Sequence, residues 1–145
     1  MMESGMPQTL NAAIATEPVW LQAWVATLVL THLIALAFVV AREQGAWRLR
    51  AEPLAIFASF IGSTLFISWL YDVVGYVRLL GLAHLVFWTP VFVWVFMRFR
   101  ATGSQSVFGK YLLAYLVIAG ISLIIDVVDV VRYLMGDGEL LNRWA

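Results

Sequence analysis

Four stretches of this chain are long enough and apolar enough to cross a bilayer, and that limits the folds open to it. They run from about 19 to 41, 54 to 77, 79 to 97 and 107 to 135. A spanning helix needs about 20 predominantly apolar residues. In hydrocarbon every backbone N–H and C=O must be bonded internally, so these stretches are expected as helices. None shows the polar face at 3.6-residue spacing that marks a soluble amphipathic helix. The composition agrees: 63% of the 145 residues are hydrophobic, against roughly 45–50% in soluble proteins. The expected fold is an all-α membrane protein, four transmembrane helices over 19–135 forming a four-helix bundle, with extracytoplasmic tails at 1–18 and 136–145.

The segment before Pro18 has neither a positive start nor an apolar run of its own, so no signal peptide is read there and the first span is expected to stay in the mature protein. Basic residues set the expected orientation. Arg42, Arg48 and Arg50 follow the first span, and Arg98, Arg100 and Lys110 surround the third-to-fourth connection. The N-terminal tail has none; Arg78, Arg132 and Arg143 lie toward the other side. By the positive-inside rule both basic loops face the cytoplasm and both termini face out. Trp20, Trp24, Trp69, Tyr76 and Tyr133 would form an outer aromatic belt, and Trp47, Trp94 and Tyr111 an inner one. The arginine excess, eight to one lysine, suggests a GC-rich bacterial genome and hence a multi-pass protein of a bacterial inner membrane. TGSQS at 102–106 reads as a linker.

Zero net charge and the lack of a basic tract exclude nucleic acid as a partner. The lack of cysteine excludes disulfides and thiolate metal sites. The expected partners are the lipid bilayer and a second membrane protein or further copies of this chain.

The chain also contains an apparent internal repeat. ISWLYDVVGYVRLL at 67–80 and ISLIIDVVDVVRYL at 121–134 share eight of fourteen positions at an offset of 54 residues. LTHLI at 30–34 and LAHLV at 82–86 echo each other at an offset of 52. Val and Leu matches are cheap in membrane helices, but an aspartate and an arginine six residues apart in both copies are not. The chain therefore reads as a tandem duplicated helical hairpin, its second helix running toward Leu80 and ending near Gly81, its fourth ending near Gly136.

The repeat makes Asp72 equivalent to Asp126 and Arg78 equivalent to Arg132. An ionisable residue within a span is a candidate functional group, and Asp72, Asp126, Asp129, Arg78, Arg132, His84 and Tyr71 form the candidate ion-, proton- or partner-binding set. In a structural reading, Asp72 pairs with Arg132 and Asp126 with Arg78 across the two halves, while Asp129 and Arg132 are close enough to pair on one helix. In a functional reading, the aspartates line a cavity open to the outside. Ser68 and Ser122 lie one turn below Asp72 and Asp126 and could donate to them. His32 and His84 admit a second class of function, a b-type haem cytochrome with both imidazoles as axial ligands. No close ligand spacing points to another metal, and no nucleophile–base pair or phosphate loop points to catalysis. Ala55, Ser59 and Ser63, with Ala58 and Gly62 beside them, form a small-residue packing stripe, and Pro90 is expected to kink the third span. The protein is thus expected to be a non-enzymatic transport, ion-binding or accessory subunit, with the haem protein as the alternative.

Overall fold

A computed structural model describes residues 7–141, and Arg143 lies outside them. Four long apolar helices dominate it. After a short helix α1 (Leu10–Ile14) come α2 (Val19–Ile34), a 3-10 turn (Ala35–Phe38), strands β1 (Val40–Glu43) and β2 (Ala46–Leu49), α3 (Ala51–Val74), a second 3-10 turn (Arg78–Gly81), α4 (Leu82–Thr102) and α5 (Val107–Leu134). Four segments in this order have the length and hydropathy to span a membrane: Val19–Phe38, Ala51–Val74, Arg78–Thr102 and Val107–Leu134. Many large apolar side chains point outward, among them Leu65 and Ile124 at 68% exposure each, a surface suited to lipid and not to water.

Local chemistry sets the helix ends. Thr9 caps α1 by accepting the Ala12 N–H, and Ser106 caps α5 by accepting that of Gly109 at 2.9 Å. Pro53 sits in the first turn of α3, where no intrahelical donor is lost. Glycines with positive φ stop two helices: Gly75 (φ 79°) after α3 and Gly103 (φ 68°) after α4. Helix α4 continues through Pro90.

The first span ends earlier than its expected boundary at 41. The chain leaves the helix at Phe38 and forms an antiparallel hairpin, Val40 opposite Leu49 and Arg42 opposite Trp47. Gln44 (φ 51°) and Gly45 (φ 82°) make its two-residue turn, the positive-φ pair that such tight hairpins require. Four residues are too few to reveal this by alternation, and Val39–Val40 extends the apolar run smoothly into the strand.

The second helix also stops short of Leu80. At the offset of 54 residues, Gly75 takes the place of Asp129. Its backbone (φ 79°, ψ −165°) belongs to a region open essentially to glycine alone. Residues 75–81 therefore form a loop and a 3-10 turn, whereas the matched residues 129–134 continue α5. Gly81 does not cap the end of α3; it ends the 3-10 turn and takes the N-cap position of α4.

Helix α4 packs along both α3 and α5, and α2 lies against the group more sparingly. At the hairpin end Ile56, Val95, Leu112 and Tyr115 form one core with Ala35 of the turn after α2. Midway, Leu28, Trp88 and Leu123 form a second. At the opposite end Ala13, Leu70, Tyr71, Tyr76 and Leu80 form a third. Both ends of the described chain come to that last cluster: the Tyr71 hydroxyl donates to the Pro7 carbonyl, and the Leu141 N–H donates to the Tyr76 carbonyl at 2.8 Å. The small-residue stripe of α3 faces inward in part. Ser59 and Ser63 are buried, and a Cβ on Gly62 would come within 2.6 Å of the Phe87 ring.

Candidate functional site

Aspartates and arginines gather at the end to which both ends of the described chain come, but in pairs the repeat does not give. Arg78 reaches α5 from the 3-10 turn before α4. Its Nη1 donates to Asp129 Oδ1 at 2.7 Å and its Nε to Asp137 Oδ2 at 3.0 Å. Arg132 donates to the same Asp137 oxygen at 2.8 Å. The expected pairs Asp72–Arg132, Asp126–Arg78 and Asp129–Arg132 are thus replaced by one network, Asp129–Arg78–Asp137–Arg132. The cause is the loop at Gly75: it carries Arg78 off the axis of α3 and lays it against α5. Asp72 stays on α3, exposed, and has no ion pair among the described residues. Asp137, expected only as part of a tail, joins the two arginines. The Gly136–Asp137–Gly138 turn was the only sequence signal for it.

Asp126 is buried at 9% exposure and stands apart from that network. Its Oδ2 lies 3.0 Å from His84 Nδ1 and accepts a longer bond from the Ser122 hydroxyl at 3.4 Å. Ser122 thus donates to its aspartate as the sequence suggested, while Ser68 donates back to the Thr64 carbonyl. Gly81 permits the approach, since a Cβ there would fall 2.9 Å from Asp126 Oδ1 and 3.2 Å from its Cα. The His84 ring stacks on Trp88, centroids 4.1 Å apart, and the Trp88 N–H donates to the Ser63 hydroxyl at 2.9 Å. Ser63 donates in turn to the Phe60 carbonyl. A chain of contacts therefore leads from α5 through α4 to α3: Asp126, His84, Trp88, Ser63.

These groups close one end of a cavity of about 380 Å³, within the size range of small-molecule sites. Its walls are apolar, with Val25 and Leu28 from α2 and Phe60 and Ile67 from α3. Its polar lining includes Arg78, His84, Asp126 and Asp129, with Ser63 and Trp88. Leu10, Asn11 and Ile14 of α1 also line it. Tyr71 does not line it; its hydroxyl fastens the segment before α1.

His32 is fully buried. Its Nδ1 lies 2.7 Å from the Leu28 carbonyl, which can only accept, so Nδ1 carries the proton and Nε2 is a bare acceptor with no partner among the described residues. A free Nε2 is what a haem iron would need, but the surroundings do not fit one. Trp88, 2% exposed, packs on His32 at 4.3 Å and on His84 at 4.1 Å between ring centroids. Its indole fills the space where the two imidazoles approach, and its N–H is held by Ser63. An iron bound by both histidines would have to displace the largest buried side chain in this part of the core.

At the hairpin end the sequence reading missed Glu52. It is buried in the first turn of α3, favoured there by the helix dipole, and accepts from Arg98 Nε at 2.9 Å. Comparison with protein-family models, with curated proteins and with solved structures returns no match for the chain.

Proposed function

We propose that this multi-pass membrane protein is a non-enzymatic binding or accessory subunit. Its cavity takes a small amphiphile with a cationic head, the head against Asp126 and the apolar part along α2 and α3. The protein sits in a bacterial inner membrane with both termini outside, so the cavity serves the outer leaflet. The observation that carries this reading is the inequality among the carboxylates joined to the cavity. Asp129 and Asp137 have arginine partners at 2.7–3.0 Å; among the described residues Asp126 has only His84 and Ser122. A buried carboxylate that no arginine or lysine meets is costly unless its charge is met. Either a proton or a ligand's ammonium can meet it.

The two sequence readings thus apply to different residues. The Asp129–Arg78–Asp137–Arg132 network is a clasp between the loop before α4 and the end of α5, and Asp126 with His84 is the site. Four helices alone rarely enclose a pathway, which favours binding over conduction through a single chain. Self-association would be needed to build a longer path.

The test uses the full-length protein in nanodiscs, with tryptophan fluorescence as readout because Trp88 borders the cavity. Decyltrimethylammonium should quench saturably and decylsulfonate should not. Asp126→Asn should weaken the ammonium response at least about tenfold, the scale of one lost charged contact, and Asp72→Asn should leave it unchanged. Equal responses to both amphiphiles, or an unchanged response in Asp126→Asn, would overturn the reading.

A further inference from the structure

The β1–β2 hairpin does not have the packing that would explain its own stability. A two-stranded hairpin is marginal in water unless a face is covered. Among its strand residues only Ala41 is buried, while Val40, Trp47 and Leu49 are 50%, 71% and 71% exposed. The register places these three on one face: Val40 opposite Leu49, and Arg42 opposite Trp47. Arg42 lies over the Trp47 ring, 6.0 Å from its centroid. The outward face is therefore an apolar and aromatic patch carrying Arg42, while Arg48, across from Ala41, is exposed on the opposite face of the hairpin.

The hairpin is also held at a defined level. It starts after the 3-10 turn that ends at Phe38, whose ring stacks on Tyr111, and returns at Arg50, whose guanidinium sits 4.2 Å over the Phe108 ring. Both contacts are to the first turns of α5, so the base of the hairpin lies level with the ends of the spanning helices. The charge at this end is unbalanced. Glu43 is met by Arg50 at 3.9 Å and Glu52 by Arg98 at 2.9 Å. Arg42, Arg48, Arg100 and Lys110 have no acidic partner among the described residues.

We propose that this hairpin is an interfacial anchor that binds anionic phospholipid headgroups. The exposed Trp47, Leu49 and Val40 enter the boundary between headgroups and acyl chains, where indole rings concentrate, and Arg42 and Arg48 meet the phosphates. The bilayer supplies the cover that the hairpin's outer face lacks.

The full-length protein is reconstituted in nanodiscs of equal phosphatidylcholine and phosphatidylglycerol, released into mild detergent, and its retained lipids are counted by native mass spectrometry. Wild type should retain phosphatidylglycerol in excess, roughly fivefold for each arginine that meets a headgroup. Arg42→Gln/Arg48→Gln should lose most of that excess and melt in phosphatidylcholine alone as wild type does. Arg100→Gln, which leaves the hairpin intact, should keep most of it. Trp47→Ser/Leu49→Ser should reduce it with no change of charge. No excess in wild type, an excess untouched by both hairpin variants, or hairpin variants that change only self-association would overturn the proposal. Amine binding at Asp126 is a separate measurement and does not depend on this one.

Discussion

His84 Nδ1 lies 3.0 Å from Asp126 Oδ2, and the approach depends on a residue with no side chain: Gly81, against which Asp126 is packed. A methyl group at position 81 would lie 2.9–3.2 Å from three atoms of Asp126, two of them the Cβ and Cα that cannot rotate away. Gly81→Ala should therefore spread α4 from α5 and cost about 1–3 kcal/mol, the range for overpacking. Thermal denaturation in detergent checks the loss, and ammonium binding should fall with it. A variant as stable as wild type would mean that the helices part without strain.

Asp129, paired with Arg78, and Asp72, without an ion pair among the described residues, should behave differently. Asp129→Asn removes an acceptor from Arg78; both side chains are about a quarter exposed, so the loss should be about 1–2 kcal/mol, below the full cost of breaking a buried pair. A double-mutant cycle with Arg78→Gln should return a coupling of ~0.5–3 kcal/mol. Asp72→Asn, on an exposed position without an ion pair, should stay within about 0.5 kcal/mol of wild type. Equal losses at both positions would restore the symmetric pairing.

Ser63→Ala leaves the buried Trp88 N–H without its acceptor. An unsatisfied buried donor costs ~1–3 kcal/mol. The denaturation midpoint should fall, and the Trp88 emission, isolated as wild type minus Trp88→Phe, should shift because the indole loses its hydrogen bond. Ser68→Ala, on an exposed face of the same helix, should change neither.

Gly75 ends α3 in a conformation that other residues hardly adopt. Gly75→Ala should cost ~1–3 kcal/mol, and it should also loosen the Arg78 network by pulling the chain toward a continued helix. Gly136→Ala meets no packed atoms, but φ is 107° there too, so it should cost a similar ~1–3 kcal/mol through the backbone alone. Denaturation midpoints of the two variants check both losses.

Tyr76 lies between the second and third spans, buried, with Glu17 near its hydroxyl; burial first and then the Glu17 charge push its phenol up from its ordinary value. The unfolded chain loses this proton near pH 10, while the folded chain holds it to higher pH. The contribution is therefore fully present below pH 10 and lost as pH rises beyond it toward the folded value. The denaturation midpoint should fall above about pH 10, and Tyr76→Phe should flatten that part of the profile.

The sequence alone determined the class of this protein. Apolar runs near 20 residues must become helices in hydrocarbon, because the backbone has no other partner there, so the four long helices could be read from composition and length. The break at 102–106 could be read in the same way, as a linker, since its chemistry is local. The polar residues of the candidate site could be listed as well, because charge is rare in such segments. Their pairing could not. The likeness of residues 67–80 to 121–134 suggested two equivalent halves, but a single glycine in place of Asp129 turns the chain at 75. Only the resulting three-dimensional path sends Arg78 to Asp129 and Asp137 and leaves Asp126 to His84. Likewise nothing in the spacing of His32 and His84 shows that Trp88 lies against both, because that contact joins α2 to α4. The hairpin at 40–49 was hidden for another reason: its apolar residues continue the first span in sequence and differ from it only in where they point. Local chemistry fixes which segments are helices; which side chain meets which depends on how those helices pack, and that is decided in the tertiary structure.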